Sequence, residues 1–198
     1  MINRLLMAVI IAIPLSACGT SPNREIDAAN KAQNIDLNGF SINVLNNRAW
    51  LVASRTATTV QLVSQGRGDD ETYGIQIWSL ELQQFNNDEE FLAYVRAGLE
   101  KNIDKSRFVE MQNALSIVST RYGQCVQFSS KHQDLAAKKR TIRMDVLILR
   151  LIGISCRDPK KPSTVAHVMY SQRYYPEDED QSLPLYANAM FQSITFKE

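Results

Sequence analysis

The chain has 198 residues, with 22 Lys+Arg against 21 Asp+Glu, and is 44% hydrophobic and 22% charged. That length suits one domain or one domain with a tail, and the near-average composition excludes a collagen-like or wholly disordered chain. A formal charge of +1 removes any global electrostatic case for nucleic acid. The one long apolar run, residues 5 to 15, falls short of the roughly 20 residues a helix needs to cross a bilayer.

That run has another use. Met1 to Arg4 is basic and carries no acid, and Leu5 to Leu15 has the size of a secretory-signal core. As a helix it would reach only about 16 Å. Small residues follow, and Leu15-Ser16-Ala17-Cys18 resembles the lipobox of bacterial lipoproteins. The resemblance implies a thioether-linked diacylglycerol on Cys18, cleavage between Ala17 and Cys18, and acylation of the new amino terminus with a palmitate-type chain. Two or more such chains anchor a protein durably, where one gives only marginal binding. Gly19 stands where an Asp commonly retains lipoproteins in the inner membrane, so the same resemblance implies the outer membrane, facing the periplasm. Read from the residues alone, a plain signal peptide and an uncleaved buried segment are the alternatives. Loss of residues 1–17 removes Arg4 and no acid, leaving 21 basic and 21 acidic side chains.

Residues 18–38 read as the lipidated terminus and a polar, flexible tether, with a mean span of roughly 25 Å. A single domain is expected over 39–198, long enough to bury nearly 70% of its unfolded surface. Phe40 to Val44 alternates as a half-buried strand, and Trp50–Ala53 and Thr58–Val63 are short β-branched candidates. Gly66 to Asp70 is a turn. Tyr73 to Leu82 is a strong strand whose alternation slips near Trp78, which predicts a bulge. Asn87 caps a helix with Glu90 in capping-box position, and Phe91, Val95, Leu99 and Ile103 repeat at four to make a buried stripe. Gly98 within that helix predicts a close backbone contact. Phe108–Thr120 and Tyr122–Ser130 read as strands, and Lys131–Arg140 as a polar loop. Thr141–Cys156, apolar on both faces, reads as a covered central strand. Thr164–Tyr174 returns as a strand, followed by a short helix near Leu183–Phe191 and a closing Ile194-Thr195-Phe196.

This order predicts an α+β fold: a largely antiparallel sheet with one long helix and one short C-terminal helix packed on it. The ending Ala189-Met190-Phe191-Gln192-Ser193-Ile194-Thr195-Phe196 resembles that of small Mog1/PsbP-like domains. That resemblance implies a fold over 39–198 and no function.

Cys125 and Cys156 remain once Cys18 is assigned to lipid. In an exported chain they would meet an oxidising space. The segments Gln124-Cys125-Val126-Gln127-Phe128 and Cys156-Arg157-Asp158-Pro159 resemble a cysteine pair in some uncharacterised proteobacterial lipoproteins. Strand arithmetic points the other way. A tight hairpin closed through residues 132–139 sets Cys125 opposite Val146, about 33 Å from Cys156, whereas bridged Cα atoms lie within about 7 Å. A bridge then requires a longer excursion or strands that are not sequential neighbours. Two buried thiols are the alternative.

Motifs for chemistry are sparse. His132, in a basic polar loop, and His167, in a strand, lack metal-ligand spacing and read as surface or edge residues. No serine elbow, phosphate loop or dinucleotide loop is present, and neither a cofactor nor a metal is expected. The acids at Asp69–Glu71, Asp88–Glu90 and Glu177–Asp180 read as a turn, a helix start and a solvated loop. Lys138-Lys139-Arg140 with Arg143 reads as a hairpin tip, Arg67-Gly68-Asp69 as a chance tripeptide, and Tyr170, Tyr174 and Tyr175 with Arg173 as sheet packing. The functional expectation is a membrane-anchored, non-enzymatic module that binds an envelope protein or small ligand and no nucleic acid. The alternative is an envelope hydrolase whose site is assembled from distant residues.

Overall fold

The computed structural model describes residues 33–136 and 146–198. The leader, Cys18 and the Lys138-Lys139-Arg140/Arg143 patch lie outside the described residues. The architecture is α+β, with every strand pairing antiparallel. Strands β1 (Gln33–Asp36) and β2 (Phe40–Val44) join β10 (Thr195–Phe196) in a small sheet of order β1-β2-β10. The large sheet contains β3 (Leu51–Arg55), β4 (Thr59–Gln65), β5 (Thr72–Glu81), β6 (Phe108–Thr120), β7 (Gly123–Asp134), β8 (Leu147–Arg157) and β9 (Thr164–Tyr174). Its order is β3-β4-β5-β9-β8-β7-β6. Helix α1 (Asp88–Asn102) lies mid-chain and α2 (Leu183–Gln192) near the end, so the helices are not both C-terminal. Among the described residues no helix is long and apolar enough to cross a membrane.

The large sheet separates two apolar layers. On one face Val60, Leu62, Ile75, Ile77, Ile154, Val168 and Tyr170 pack with α2 and the small sheet. On the other, Val126, Phe128, Leu151, Val165 and Met169 pack beneath α1 with Phe91 and Val95. This double coverage explains the pattern at Trp78. Strand β5 keeps an unbroken register with both β4 and β9 across Trp78, so no bulge is present. Tyr73, Ile75 and Ile77 serve the α2 side, whereas Trp78, Leu80 and Leu82 serve the α1 side. What slips is the face that is apolar, not the backbone.

Helix α1 starts as its sequence demands, with one change. Glu90 N donates to Asn87 Oδ1 at 2.8 Å, the expected cap. The returning Glu90 carboxylate accepts from Asn86 N at 2.9 Å, one residue before the cap, and from the Asn86 side chain. Phe91 and Val95 are buried, and Leu92, Leu99 and Ile103 pack partly buried beside them. Each of the two buried side chains stabilises the docking by about 2 kcal/mol.

Two further expectations are corrected. The fold takes in Gln33–Asn38, expected as the end of the tether: β1 pairs along its length with β2, and Ile35 and Leu37 are buried. Gly98 makes no close approach, since a Cβ there would meet nothing within 4 Å. Gly153 on β8 is crowded instead: a Cβ there would stand 2.7 Å from Phe128 Cε1 and closer still to Cζ. Phe128 is directly opposite Gly153 in the β7–β8 ladder, and its ring fills the space a side chain would need. Gly153→Ala should therefore destabilise the domain by about 1–3 kcal/mol, the usual cost of overpacking. Gly98→Ala should stabilise it by several tenths of a kcal/mol or more. Urea titration of the two variants would check the opposite signs.

Candidate functional site

The hairpin that carries the cysteines is longer than expected. Strand β7 runs on through Lys131 to Asp134, so the first four residues of the segment read as a polar loop are strand. The β7–β8 ladder is thereby centred further along the chain. Cys125 falls directly opposite Cys156, with Cα atoms 4.4 Å apart and the sulfurs at bonding distance. Sequential neighbours bring the two together, and the 33 Å separation came from closing the hairpin five residues too early. Both cysteines are buried in the α2-side core.

The same extension buries His132, expected as a surface or edge residue, and Asp134, which fell in the expected polar loop. Arg107, just before β6, donates through Nε and Nη2 to the two Asp134 oxygens at 3.0 and 2.7 Å. From β9, Arg173 Nε lies 3.2 Å from Oδ2. Burial alone would push the Asp134 carboxyl up, but the paired Arg107 and the Arg173 charge outweigh it and hold it below the usual range. His132 Nε2 is 2.9 Å from Ser130 Oγ, while its buried Nδ1 has no hydrogen-bond partner. Burial lowers its pKa, against a smaller opposing pull from Glu110.

His167 is half-buried, on the central strand β9 beneath α1. It stacks on Phe128 at 5.5 Å and tilts against Trp78 at 5.2 Å, with Nδ1 2.7 Å from Ser155 Oγ. Desolvation pushes its pKa down to about 4. A histidine depressed in the fold contributes stability that is complete above its unfolded value, about 6.5. That stability is lost as pH falls through the folded value. Lowering pH from 7.5 to 4.5 should thus reduce the melting temperature, and His167→Phe should flatten the dependence; equal slopes in variant and wild type would refute the assignment.

A surface concavity lies elsewhere. A cleft of about 280 Å³ is lined by Arg48, Gly66, Arg67, Tyr73, Asp178 and Asp180. Four pieces of chain build it: the β2–β3 connection, the β4–β5 turn, the start of β5, and the residues after β9. Glu71, buried, clamps two of them, accepting from Gly68 N at 2.7 Å and from Tyr175 N at 3.3 Å. The acidic run after β9 includes a 3-10 turn, Pro176–Asp178, and is ion-paired, not a solvated loop as its composition suggested. Asp178 pairs with Arg67, Asp180 with Arg48, and Glu179 with Lys131 and Arg150. The Arg48 guanidinium lies 3.3 Å from the centre of the Tyr73 ring. Gln172 Nε2 donates to Tyr73 Oη at 3.1 Å, and Tyr73 Oη donates to Asp180 at 3.3 Å. Desolvation raises the Tyr73 hydroxyl to about 12, so it stays a protonated donor near neutral pH.

Two guanidiniums, two carboxylates and a phenol thus face one hollow. The lining can hydrogen-bond and ion-pair with a small polar ligand, and its charges balance. Of its residues, sequence reading singled out Arg67, Asp178 and Asp180, and assigned them to a chance tripeptide and a solvated loop. Arg48, Tyr73 and Gln172 gave no local signal, because they lie far apart along the chain. Tyr170, Tyr174 and Tyr175 are buried packing residues. Among the described residues no group of three or more His, Cys, Asp or Glu could hold a metal ion. No protein-family model matches this sequence, and a search of curated proteins finds no match.

Proposed function

We propose that this protein is a lipid-anchored accessory module of the bacterial envelope, held through Cys18 at the outer membrane and facing the periplasm, whose domain binds a protein or small polar ligand without catalysing a reaction. The observation that carries the reading is Leu15-Ser16-Ala17-Cys18 behind a basic start and an apolar run. The Cys125–Cys156 pairing supports it, because such bridges persist in oxidising compartments. The charge-balanced cleft supports binding over acid–base chemistry: its phenol is moved away from neutral pH, and its carboxylates are engaged by arginines.

The deciding experiment is metabolic labelling with palmitate of the full chain and of Cys18→Ala, followed by membrane fractionation and crosslinking in the native envelope. Labelled wild type in the membrane fraction, with crosslinked partners that the variant loses, is the expected result. Unlabelled, soluble wild type would remove the anchor. Turnover of peptidoglycan or a glycan by the purified protein would replace the binding reading with a hydrolase.

A further inference from the structure

The two edges of the large sheet are defended very differently. At one edge β3 is short, five residues, irregular between Val52 and Ser54, and ends in Arg55. Shortness, a bulge and a terminal charge are the usual devices that keep an edge from pairing with another chain. At the other edge β6 runs for thirteen residues. Its register breaks only between Glu110 and Gln112, leaving Gln112–Thr120 as a regular, exposed-edge segment. That segment, Gln-Asn-Ala-Leu-Ser-Ile-Val-Ser-Thr, contains no charge, no proline and no glycine. Ala114, Ser116 and Ser119 are exposed along it.

We propose that β6 pairs antiparallel with β6 of a second copy of this chain, extending the sheet across a two-fold axis. Three features choose a second copy as the occupant. First, an axis normal to the sheet places residues of the same face opposite one another, so the register must be symmetric about one residue. The regular segment is bounded by the irregularity at Met111 and the turn at Arg121, and its midpoint is Ser116. In that register Leu115 meets the partner copy's Ile117 on the α1 side, and Ala114 meets its Val118 on the α2 side. Apolar groups thus align on both faces. Second, the centre of the segment is neutral, so a second copy of it sets no like charges opposite. Third, the symmetry keeps both small sheets on one side of the joined sheet, so both chains enter at Gln33 from that side. On the reading that Cys18 is anchored, two chains can then reach a single membrane.

The test is disulfide trapping in the native envelope with the full chain. Ser116→Cys lies on the axis and is expected to give a crosslinked species of twice the monomer mass under mild oxidation. Ser119→Cys is exposed on the same strand, but its Cβ would stand about 20 Å from its counterpart and should give none. As a second measurement, sedimentation of the detergent-solubilised wild type should give a dimer. Ser116→Arg should give a monomer with the wild-type far-ultraviolet circular dichroism spectrum and a melting temperature that no longer depends on protein concentration. A monomeric wild type, equal trapping at both positions, or trapping of Ser116→Cys only to a different protein would each overturn the proposal.

Discussion

Replacing Asp134 with Ala should cost the domain about 3–5 kcal/mol, the loss usual when one partner of a buried ion pair is removed. The carboxylate side chain is 0% exposed, and the two arginines that converge on it are 22% and 12% exposed. Deletion leaves two guanidiniums largely out of water, with only the pull of Asp104 on Arg107 and of Asp70 on Arg173 remaining, and frees the Ala136 amide that Oδ1 also accepts. Asp134→Asn should recover little, because it restores shape and an acceptor but not the charge. Urea unfolding measured at pH 7 would check both variants, and a loss under about 1 kcal/mol would show that water compensates the arginines. The pH sign is fixed by the same geometry. A carboxyl held below its unfolded value of about 3.9 contributes stability that is full above that pH, and the contribution disappears as pH falls through the folded value. Wild type should therefore show an acid transition below about pH 4 whose steepness the Asp134 variants reduce.

The second large effect belongs to the cysteines. Their sequence separation is 31, and a bridge closing a loop of that size is expected to stabilise by roughly 3–4 kcal/mol through the unfolded chain. Reduction in denaturant, or Cys125→Ala with Cys156→Ala, should lower the unfolding free energy by that amount while preserving the fold. The β7–β8 ladder extends to Asp134 and Leu147 on its own hydrogen bonds and does not depend on the sulfurs for its register. Far-ultraviolet circular dichroism of the double variant should match wild type as its denaturation midpoint falls. Because a bridged pair offers no thiol even when unfolding exposes it, thiol labelling of the unfolded, unreduced protein should find neither Cys125 nor Cys156 reactive, and labelling of both would remove the bridge.

Periodicity makes most of the elements legible in the sequence. The β2, β6 and β9 segments and the cap of α1 follow directly from alternation and from Asn87 with Glu90. Boundaries are lost where composition and register disagree. Lys131 to Asp134 look like loop because they are polar, yet they are strand because β6 and β8 pair with them on both sides. The acids after β9 look solvated because acids usually are, yet Arg48, Arg67, Lys131 and Arg150 reach Asp178, Glu179 and Asp180 from four other segments. Gly98 and Gly153 show the same limit. A glycine in a helix and one in a strand are equally visible in sequence, but only the position of Phe128 says which of them is crowded.

What the chain's own order of residues determined is local: the α+β succession, the cap of α1, and the two-faced apolar strands that require cover on both sides. These follow from spacing, since helices and strands impose periods readable over a few residues. Tertiary structure decided whatever depends on which distant residues become neighbours. The meeting of Cys125 with Cys156, the burial of Asp134 between two arginines, the cleft around Tyr73 and the unguarded edge of β6 are all consequences of pairing register and strand order. A shift of a few residues in one turn moves every partner along a ladder, and no local pattern records it.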